Sequence, residues 1–280
     1  AINKRDDASV EWNENRYEEV KDGISRLLKT VGYPTETIDF VPTSGWTGDN
    51  LVNRSENMPW YKGPTLLEAL DNFKLPPKPT AKPLRIAIQD VYTIKGVGTT
   101  PVGKVETGEL RPGDDIVFMP SGEKGKVNSI ETHYTKIDVA GPGDNIGFNT
   151  KGVPKDKVGR GEIVGHPSDL PTVAKAFTGR IFIINHPTAV GEGYTPVLHL
   201  HTAQIAVRFD KLISKLDPRT GQTVEENPAY LRTGEAAVVR FVPLQPTAME
   251  TFKDYPSLGR FALRDMGTTI GAGVVIAIEE

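Results

Sequence analysis

The stretch Gln89-Asp90-Val91-Tyr92-Thr93-Ile94-Lys95-Gly96-Val97-Gly98 decides the fold of this 280-residue chain. It continues an alternating apolar run that contains Ile86 and Ile88, and its closing glycines favour a hairpin turn. A second run, Val102 to Glu106, follows after a few residues and is itself followed by further Gly and Pro turns. This pattern predicts hairpins in a small antiparallel barrel, with an acid and an aromatic residue near the end of a strand.

The rest of the chain is also rich in turn-forming residues. It contains 22 Pro and 28 Gly, which favour turns and hence a β-rich body. Residues 83–169 show short alternating runs between Gly, Pro and Asp turns, without a long helical pattern, and this predicts a β-barrel. Residues 170–280 form a second β-rich segment, with runs such as Ala236-Ala237-Val238-Val239-Arg240-Phe241.

Residues 1–75 show a mixed pattern of helix and strand. Apolar residues at helical spacing predict a helix that ends at Gly32, and they are Tyr17, Val20, Ile24, Leu27, Leu28 and Val31. A short strand is predicted for Ile38 to Pro42, and a second short helix for Thr65 to Phe73. Pro76-Pro77-Lys78-Pro79 then predicts a stiff linker over residues 76–82.

Two polar loops flank the first predicted helix and strand. Asn3-Lys4-Arg5-Asp6 resembles the guanine-specificity motif of GTPases, whose carboxylate accepts from the ring N–H and the exocyclic amine of guanine. In that motif the Asn braces the loop and the Lys stem covers the base, while a second loop, here at Ser44, donates to guanine O6. The resemblance implies a guanine site at Asn3, Lys4, Asp6, Ser44, Gly45 and Trp46. Taken alone, the four-residue match is also compatible with a polar turn after a strand.

A wider resemblance covers essentially the whole chain. Ser44-Gly45-Trp46 with Gly48-Asp49-Asn50, and Asn57-Met58-Pro59-Trp60-Tyr61-Lys62-Gly63, are similar to the elongation factor 1-alpha/Tu family of translational GTPases, in its archaeal form. The passage that follows lacks the insertion typical of eukaryotic members. The resemblance implies the C-terminal part of a P-loop GTPase α/β domain in residues 1–75, then antiparallel β-barrels over 83–169 and 170–280. The expected fold class is mainly β with an α/β portion.

In this family the first barrel holds the aminoacylated 3′ end of tRNA. The segments Ile130-Glu131-Thr132-His133 and Gly141-Pro142-Gly143-Asp144-Asn145 match tRNA-facing segments of the family. The resemblance implies that Asp90 and Tyr92 line the pocket for the amino acid and that Asn145 contacts its backbone. It also implies that Glu131 meets the terminal adenosine and that Arg160 lies near the tRNA 5′ end. Each residue also has a structural interpretation, as strand packing, a solvated strand position or a turn former.

The end of the chain resembles the second barrel of the same family. The matching stretches are Leu258-Gly259-Arg260-Phe261-Ala262-Leu263-Arg264-Asp265-Met266-Gly267 and Gly271-Ala272-Gly273-Val274-Val275. The resemblance implies that Arg264 and Gly267 approach the T stem of tRNA through phosphate contacts. The alternative for Arg260 and Arg264 is ordinary surface charge beside a strand.

The family resemblance implies a GTP-dependent factor that delivers aminoacyl-tRNA to the ribosomal A site. GTP or GDP with Mg²⁺ would be its cofactor, and its partners would be aminoacyl-tRNA, the ribosome and a nucleotide-exchange factor. Release factors and rescue factors of the Pelota type are further partners of archaeal members. The chain contains no Gly-x-x-x-x-Gly-Lys-Ser/Thr phosphate loop, so we expect it alone not to hydrolyse GTP.

Two alternatives to this function stay open. One is a nucleotide-independent β-barrel adaptor that binds tRNA-shaped release or rescue proteins. The other is a related GTPase, such as a sulfate-activation subunit or a selenocysteine-specific factor. Arg5 also departs from the methionine that family members commonly carry at this position.

Composition excludes several other kinds of chemistry and binding. The chain has no cysteine, which excludes disulfides and thiolate chemistry. No secretory signal opens it and no apolar run approaches the ~18 residues of a membrane span, so we expect a cytoplasmic protein without a membrane partner. A net charge of −3 excludes nucleic-acid binding through overall charge, so any tRNA contact must be local. His199 and His201 stand two apart, but two ligands do not make a metal site, and none is expected.

Overall fold

The computed structural model describes residues 1–30, 33–73, 77–218 and 220–280. The chain divides into two compact units, Ala1–Pro77 and Lys78–Glu280. Helices and loops build the first unit, whereas strands build nearly all of the second. The mainly β fold class is therefore confirmed, while the finer domain boundaries stay a prediction.

Helix α1, Glu14–Thr30, organises the first unit. Asn13 caps it, because its side-chain oxygen accepts from the Arg16 N–H at 3.0 Å. Tyr17 is buried, and its hydroxyl donates to the Phe40 carbonyl at 2.7 Å. The predicted apolar stripe is only partly buried, since Ile24 is 37% exposed. The predicted end of the helix at Val31 and Gly32 lies outside the described residues.

The segment after α1 differs from the expectation of a strand over Ile38 to Pro42. Its only pairing in the described chain is one parallel bridge between Ile2 and Pro42. Pro42 has no N–H to extend a ladder, so the two segments meet through the hydrogen bonds that flank it. A 3₁₀ turn precedes this segment at Thr35–Thr37.

The second short helix, α2, spans Leu66–Asp71 and agrees with the predicted position. Thr65 starts it with a reciprocal cap: its hydroxyl accepts from the Glu68 N–H at 3.3 Å, and its own N–H donates to Glu68 Oε2 at 2.8 Å. Nearby, the rings of Tyr17 and Trp60 lie 5.2 Å apart, and those of Trp60 and Tyr61 lie 6.3 Å apart. This aromatic cluster packs α1 against the loop that leads to α2.

The first barrel is a closed antiparallel sheet in the order β3-β7-β1-β2-β6-β4, with pairing between β3 and β4 completing the ring and β5 extending β4. Phe118 and Phe148 are fully buried at its centre, with ring centroids 6.5 Å apart. Its strands are β1 Arg85–Ile94, β2 Gly98–Thr107, β3 Asp115–Met119, β4 Lys124–Thr132, β5 Thr135–Ile137, β6 Asn145–Lys151 and β7 Ile163–Gly165. A 3₁₀ turn, Lys155–Lys157, lies between β6 and β7.

The second barrel has the order β10-β15-β16-β9-β13-β11, closed by pairing between β10 and β11, with β12 at the edge. Its core is a cluster of aromatic rings from Phe177, Phe209, Phe241 and Phe261. The strands are β9 Ala176–Ile183, β10 Val197–Leu200, β11 Ala203–Leu216, β12 Thr223–Glu226, β13 Ala236–Pro243, β15 Arg260–Asp265 and β16 Thr268–Glu279. A separate two-stranded sheet pairs β8, Thr172–Ala174, with β14, Thr247–Met249.

An apolar cluster joins the two barrels within the second unit. Ala87 and Ile163 from the first barrel pack with Ala248 and Leu258 from the second. Gly161 approaches the second barrel closely, since a Cβ built on it would lie 3.2 Å from Ala203 Cβ. The barrels thus share a packed contact in addition to their covalent connection.

Candidate functional site

Hydrogen bonds tie together the two polar loops of the first unit. Asn3 Oδ1 accepts from the Gly45 N–H at 2.9 Å, and the Ser44 hydroxyl donates to Asp6 Oδ1 at 2.6 Å. The same hydroxyl oxygen accepts from the Thr47 N–H at 3.1 Å. Because Ser44 is fully buried, it acts as a fixed support for the Asp6 carboxylate. The structure therefore brings together residues that are about 40 positions apart in sequence.

A cavity of about 340 Å³ opens between these loops. Five of the six residues predicted to bind guanine line it, and Ser44 lies beneath them; the lining residues are Asn3, Lys4, Asp6, Asp7, Gly45 and Trp46. Lys4 adopts a left-handed backbone with φ of 62°, and the Trp46 side chain is 90% exposed. The cavity thus combines a carboxylate, a cationic stem and an aromatic face.

Asp7 is the lining residue that the sequence did not single out. Its Oδ1 accepts from the Ser9 N–H at 2.9 Å and from the Ser9 hydroxyl at 2.6 Å. These bonds hold the pKa of Asp7 below its usual value. Asp7 directly follows Asp6, so its position next to the motif was the available signal.

Arg5 lies under the loop and not in the cavity. It is 2% exposed, and a guanidinium nitrogen donates to the Asn13 carbonyl at the start of α1. Burial and the charge of Arg16 lower its pKa. Its Nε has no hydrogen-bond partner among the described residues. Arginine at position 5, where family members commonly carry methionine, therefore changes the packing beneath the loop and leaves the residues that line the cavity unchanged.

The outer face of the first barrel carries four of the predicted tRNA-binding residues. Asp90 on β1 pairs with Val102 on β2, which pairs with Gly147 on β6, which in turn pairs with Glu131 on β4. These four positions form one row across the sheet, about 14 Å wide at ~4.8 Å per strand. Gly147 contributes no side chain, so the middle of the row is shallow.

Tyr92 and Asn145 lie on the same outer face beside this row. Tyr92 is two residues along β1 from Asp90 and is 50% exposed. Asn145 is two residues along β6 from Gly147, and its carbonyl accepts from the Thr132 hydroxyl at 2.9 Å. A β-bulge between Ile88 and Asp90 shifts the register of β1. Asp90, Tyr92, Glu131 and Asn145 thus share one open face of the barrel.

The Asp90 carboxylate is the electrostatic focus of this face. The Val91 N–H donates to Asp90 Oδ1 at 2.8 Å, and the Tyr92 hydroxyl interacts with the carboxylate. These bonds, with smaller contributions from the charges of Lys155 and Arg160, lower the pKa of Asp90. The same carboxylate raises the pKa of Tyr92. Asp90 is therefore an ionised acceptor close to two cations.

Arg160 connects this face to the second barrel, because its Nε donates to the Thr202 carbonyl at 3.1 Å. Arg264 and Gly267 lie on the second barrel itself, at the β15–β16 hairpin. A guanidinium nitrogen of Arg264 donates to the Gly267 carbonyl at 2.6 Å, and Met266 at the tip is 99% exposed. The predicted tRNA residues therefore fall into two groups, one on each barrel.

The two histidines of the second barrel occupy different environments. His199 lies within β10, whereas His201 lies just beyond it with φ of 42°. His201 Nε2 lies 3.0 Å from the Ala248 carbonyl, so this nitrogen carries the proton and donates. Among the residues that the structure describes, no three His, Cys, Asp or Glu side chains are grouped to hold a metal ion.

Two family models match the chain. The one described as "Elongation factor Tu domain 2" covers residues 98–165, and "GTP-eEF1A C-terminal domain-like" covers residues 176–276. Elongation factor 1-alpha of Staphylothermus marinus is 57% identical over 279 residues, and that of Saccharolobus solfataricus is 54% identical over 279 residues. A solved structure titled as sup35 complexed with GMPPNP is 33% identical with a TM-score of 0.69, and covers this whole chain and 68% of that one.

The chain belongs to the elongation factor 1-alpha family. The family resemblance of the sequence is thereby confirmed, as are the β-barrels that it implied. Elongation factor 1-alpha of Methanocaldococcus jannaschii, 57% identical over 280 residues, also matches the whole of this chain. The chain spans 64–65% of the length of these three relatives.

Proposed function

We propose that this chain is part of a translation elongation factor that delivers aminoacyl-tRNA to the ribosomal A site in a GTP-dependent manner. The observation that carries the proposal is the 54–57% identity to elongation factor 1-alpha over essentially all of the chain. The proposed site of action is the cytoplasm, with the ribosome as a partner.

The cavity between the polar loops fits a guanine base. Its volume of about 340 Å³ lies within the ~300–1,000 Å³ of typical small-molecule sites. Asp6 Oδ1 accepts from Ser44, and in the described chain its other oxygen has no protein donor. That oxygen is available to accept from a base N–H. Adenine presents an acceptor where guanine presents its ring N–H, so the carboxylate supplies specificity.

Each remaining residue of the cavity has a defined part in holding guanine. The Lys4 stem would cover one face of the base, and the loop from Ser44 to Trp46 would donate to O6. Asn3 keeps that loop in place through the Gly45 N–H. Bound GTP would supply the phosphoanhydride bond whose hydrolysis drives the delivery cycle. Because the chain contains no phosphate-loop motif, we propose that the 280 residues alone do not hydrolyse GTP.

The outer face of the first barrel would hold the aminoacylated end of tRNA. An ionised Asp90 supported by Tyr92 suits the α-amino group of the amino acid, which is cationic when protonated. Asn145 would contact the backbone of the aminoacyl group, and Glu131 the terminal adenosine. Arg160 would lie near the tRNA 5′ end, and Arg264 with Gly267 near the T stem. A nucleotide-exchange factor and Pelota-type proteins would be further partners.

The tRNA proposal is tested in a full-length factor that contains this chain. Asp90→Ala should accelerate deacylation of bound aminoacyl-tRNA by at least tenfold, since a hydrogen bond to a charged group contributes ~1.5–3 kcal/mol. Asn145→Ala should accelerate it by roughly threefold to tenfold, since a neutral hydrogen bond contributes ~0.5–1.5 kcal/mol. GTP affinity should stay unchanged. Asp138→Ala, an exposed acid elsewhere on the same barrel, is the matched control. Unchanged protection in both site variants would show that this face does not bind the aminoacyl end.

The guanine proposal is tested in the same full-length factor. Asp6→Ala should weaken GDP binding by at least tenfold while weak ADP binding stays constant, because only guanine uses the carboxylate. Asp39→Ala, an exposed acid of the first unit, serves as the control. Equal loss of GDP and ADP binding would indicate damage to the loop and would contradict base recognition by Asp6.

A further inference from the structure

Three lysines surround a second cavity on the first barrel, away from the row that contains Asp90. This cavity has a volume of about 440 Å³. Lys124 and Lys126 on β4 and Lys151 at the end of β6 contribute its charge, and Asp115 and Pro167 complete the walls. All three lysines are exposed. We refer to Lys124, Lys126 and Lys151 as the lysine cluster.

The strand register places two of these lysines against each other. Lys126 on β4 is directly paired with Lys151 on β6, so both side chains leave the sheet on the same face. Like charges in directly opposite positions destabilise a strand pair. An anion between the two ammonium groups would remove this repulsion.

Protein carboxylates compensate the lysine cluster only weakly. Lys126 Nζ lies 3.9 Å from Asp115 Oδ1, and these side chains are 60% and 71% exposed. Across the described residues, Lys124 and Lys151 have no ion-pair partner. By contrast, Lys104 on the same barrel lies 3.1 Å from Glu106. Three cations and one acid therefore leave an excess of two positive charges around one cavity, in a chain whose net charge is −3.

The outer face of β4 and β6 connects the lysine cluster to the proposed tRNA face. Gly147 and Lys151 are four residues apart on β6 and project from the same side of the sheet, about 13 Å apart at ~3.3 Å per residue. Between them lie polar groups, including Asn128, whose amide donates to Asn149 at 3.1 Å.

We propose that the lysine cluster binds phosphodiester groups of an RNA chain, as an RNA contact additional to the aminoacyl-tRNA face. Lysine ammonium groups bind phosphate as point charges. The cavity has no arginine or aromatic side chain that would read or stack on a base, so the contact would be independent of sequence. The choice of RNA over another polyanion rests on the proposed function in translation.

The test measures binding of the 280-residue chain to a fluorescein-labelled oligouridylate of about 20 nucleotides by anisotropy between ~50 and ~200 mM salt. This probe carries no aminoacyl group. The triple variant K124Q/K126Q/K151Q should bind at least tenfold more weakly at the lower salt concentration. The slope of log K against log salt should fall by about 2, at ~0.7 for each lost phosphate contact. Its thermal midpoint should not fall, because the substitutions relieve the repulsion between Lys126 and Lys151.

The matched control is K175Q/K211Q/K253Q, which removes the same charge from the second barrel. Affinity within twofold of the parent chain is expected for this control. An equal loss in both triple variants, or no loss in either, would overturn the proposal. Polyglutamate that binds more tightly than the oligonucleotide would assign the cluster to an acidic protein. Free tripolyphosphate that competes equally at the same phosphate concentration would assign it to a small anion. Either result would also overturn the proposal.

Asn145→Ala separates this inference from the proposed function. If Asn145→Ala leaves aminoacyl-tRNA protection unchanged while the oligouridylate results are as expected, only the proposed tRNA face is contradicted. If Asn145→Ala weakens the protection while K124Q/K126Q/K151Q binds oligouridylate as the parent chain does, only the RNA contact at the lysine cluster is contradicted.

Discussion

Arg85 of the first barrel forms a buried ion pair with Glu250 beside the second barrel: Nε lies 2.6 Å from Oε1, and the side chains are 3% and 8% exposed. The guanidinium also donates to Asp169 Oδ1 at 2.6 Å and lies 5.1 Å from the centre of the Tyr255 ring. Burial raises the pKa of Glu250, and the charge of Arg85 opposes this shift. Each charge depends on the other, because neither is solvated by bulk water.

Arg85→Met should therefore destabilise the chain by about 3–5 kcal/mol, since the substitution leaves the Glu250 carboxylate buried without its cation. Urea unfolding followed by circular dichroism measures the loss. Arg111→Met is the control, because the ion pair between Arg111 and Glu109 is exposed on both sides and contributes about 0–1 kcal/mol. A loss below about 1 kcal/mol for Arg85→Met would show that the pair does not hold the barrels together.

Gly161→Ala tests the close approach of the barrels independently of charge. Gly161 has φ of +95°, and an added Cβ would lie 3.1 Å from Ala203 Cα. Gly113 has nearly the same φ, +97°, with no heavy atom within 4 Å of the added Cβ. Gly113→Ala should cost about 1–2 kcal/mol through backbone strain alone, and Gly161→Ala about 1–3 kcal/mol more through overpacking. Equal losses of unfolding free energy for Gly161→Ala and Gly113→Ala would mean that the barrels accommodate the added methyl group at Gly161 without further destabilisation.

The β-rich body could be predicted from sequence because alternation and turn residues are local signals. Ile86 and Ile88 face the core as the pattern indicated, and Gly96 lies in the turn between β1 and β2, which Gly98 follows as the first residue of β2. The pairing of Asp6 with Ser44 was also accessible, since each belongs to a recognisable motif. Local patterns and motifs thus accounted for the barrel strands and for most of the residues that line the cavity of the first unit.

Contacts between distant segments could not be predicted in the same way. Arg85 and Glu250 are 165 residues apart, and in the sequence Arg85 is only a cation beside an apolar run. The pairing of Lys126 with Lys151 depends on strand register, including a bulge between Val127 and Ser129 that alternation does not reveal. The 37% exposure of Ile24 could not be read from the sequence either, because helical spacing identifies a face without showing whether a partner covers it.

Tyr92→Phe should raise the pKa of Asp90. The hydrogen bond from the Val91 N–H and the interaction with the Tyr92 hydroxyl lower this pKa in the folded chain, and the substitution removes the second of them. A carboxyl ¹³C titration followed by NMR measures the change. Tyr134→Phe is the control, because Tyr134 is fully exposed in the turn between β4 and β5. If the pKa of Asp90 is the same in both variants, the Tyr92 hydroxyl does not lower it.

His201 should make the chain less stable in acid. Burial lowers the pKa of His201 to about 4, although its bond to the Ala248 carbonyl and the charge of Glu106 oppose the shift. The unfolded chain, with a histidine pKa near ~6.5, binds a proton at a higher pH than the folded chain does. The contribution of His201 to the free energy of unfolding is therefore complete above about pH 6.5, and it decreases as the pH falls from there to about 4.

The expected loss from this histidine is about 3 kcal/mol, because the pKa is about 4 in the folded chain and ~6.5 in the unfolded chain, and each pKa unit corresponds to ~1.36 kcal/mol. His201→Gln keeps an N–H donor but does not titrate, so subtracting its unfolding free energies from those of the parent chain isolates the contribution. His133→Gln, at an exposed turn, should reproduce the pH profile of the parent chain apart from a constant offset. Parallel profiles for His201→Gln and the parent chain between pH 7 and 4.5 would show that the imidazole accepts its proton without disturbing the contact with Ala248.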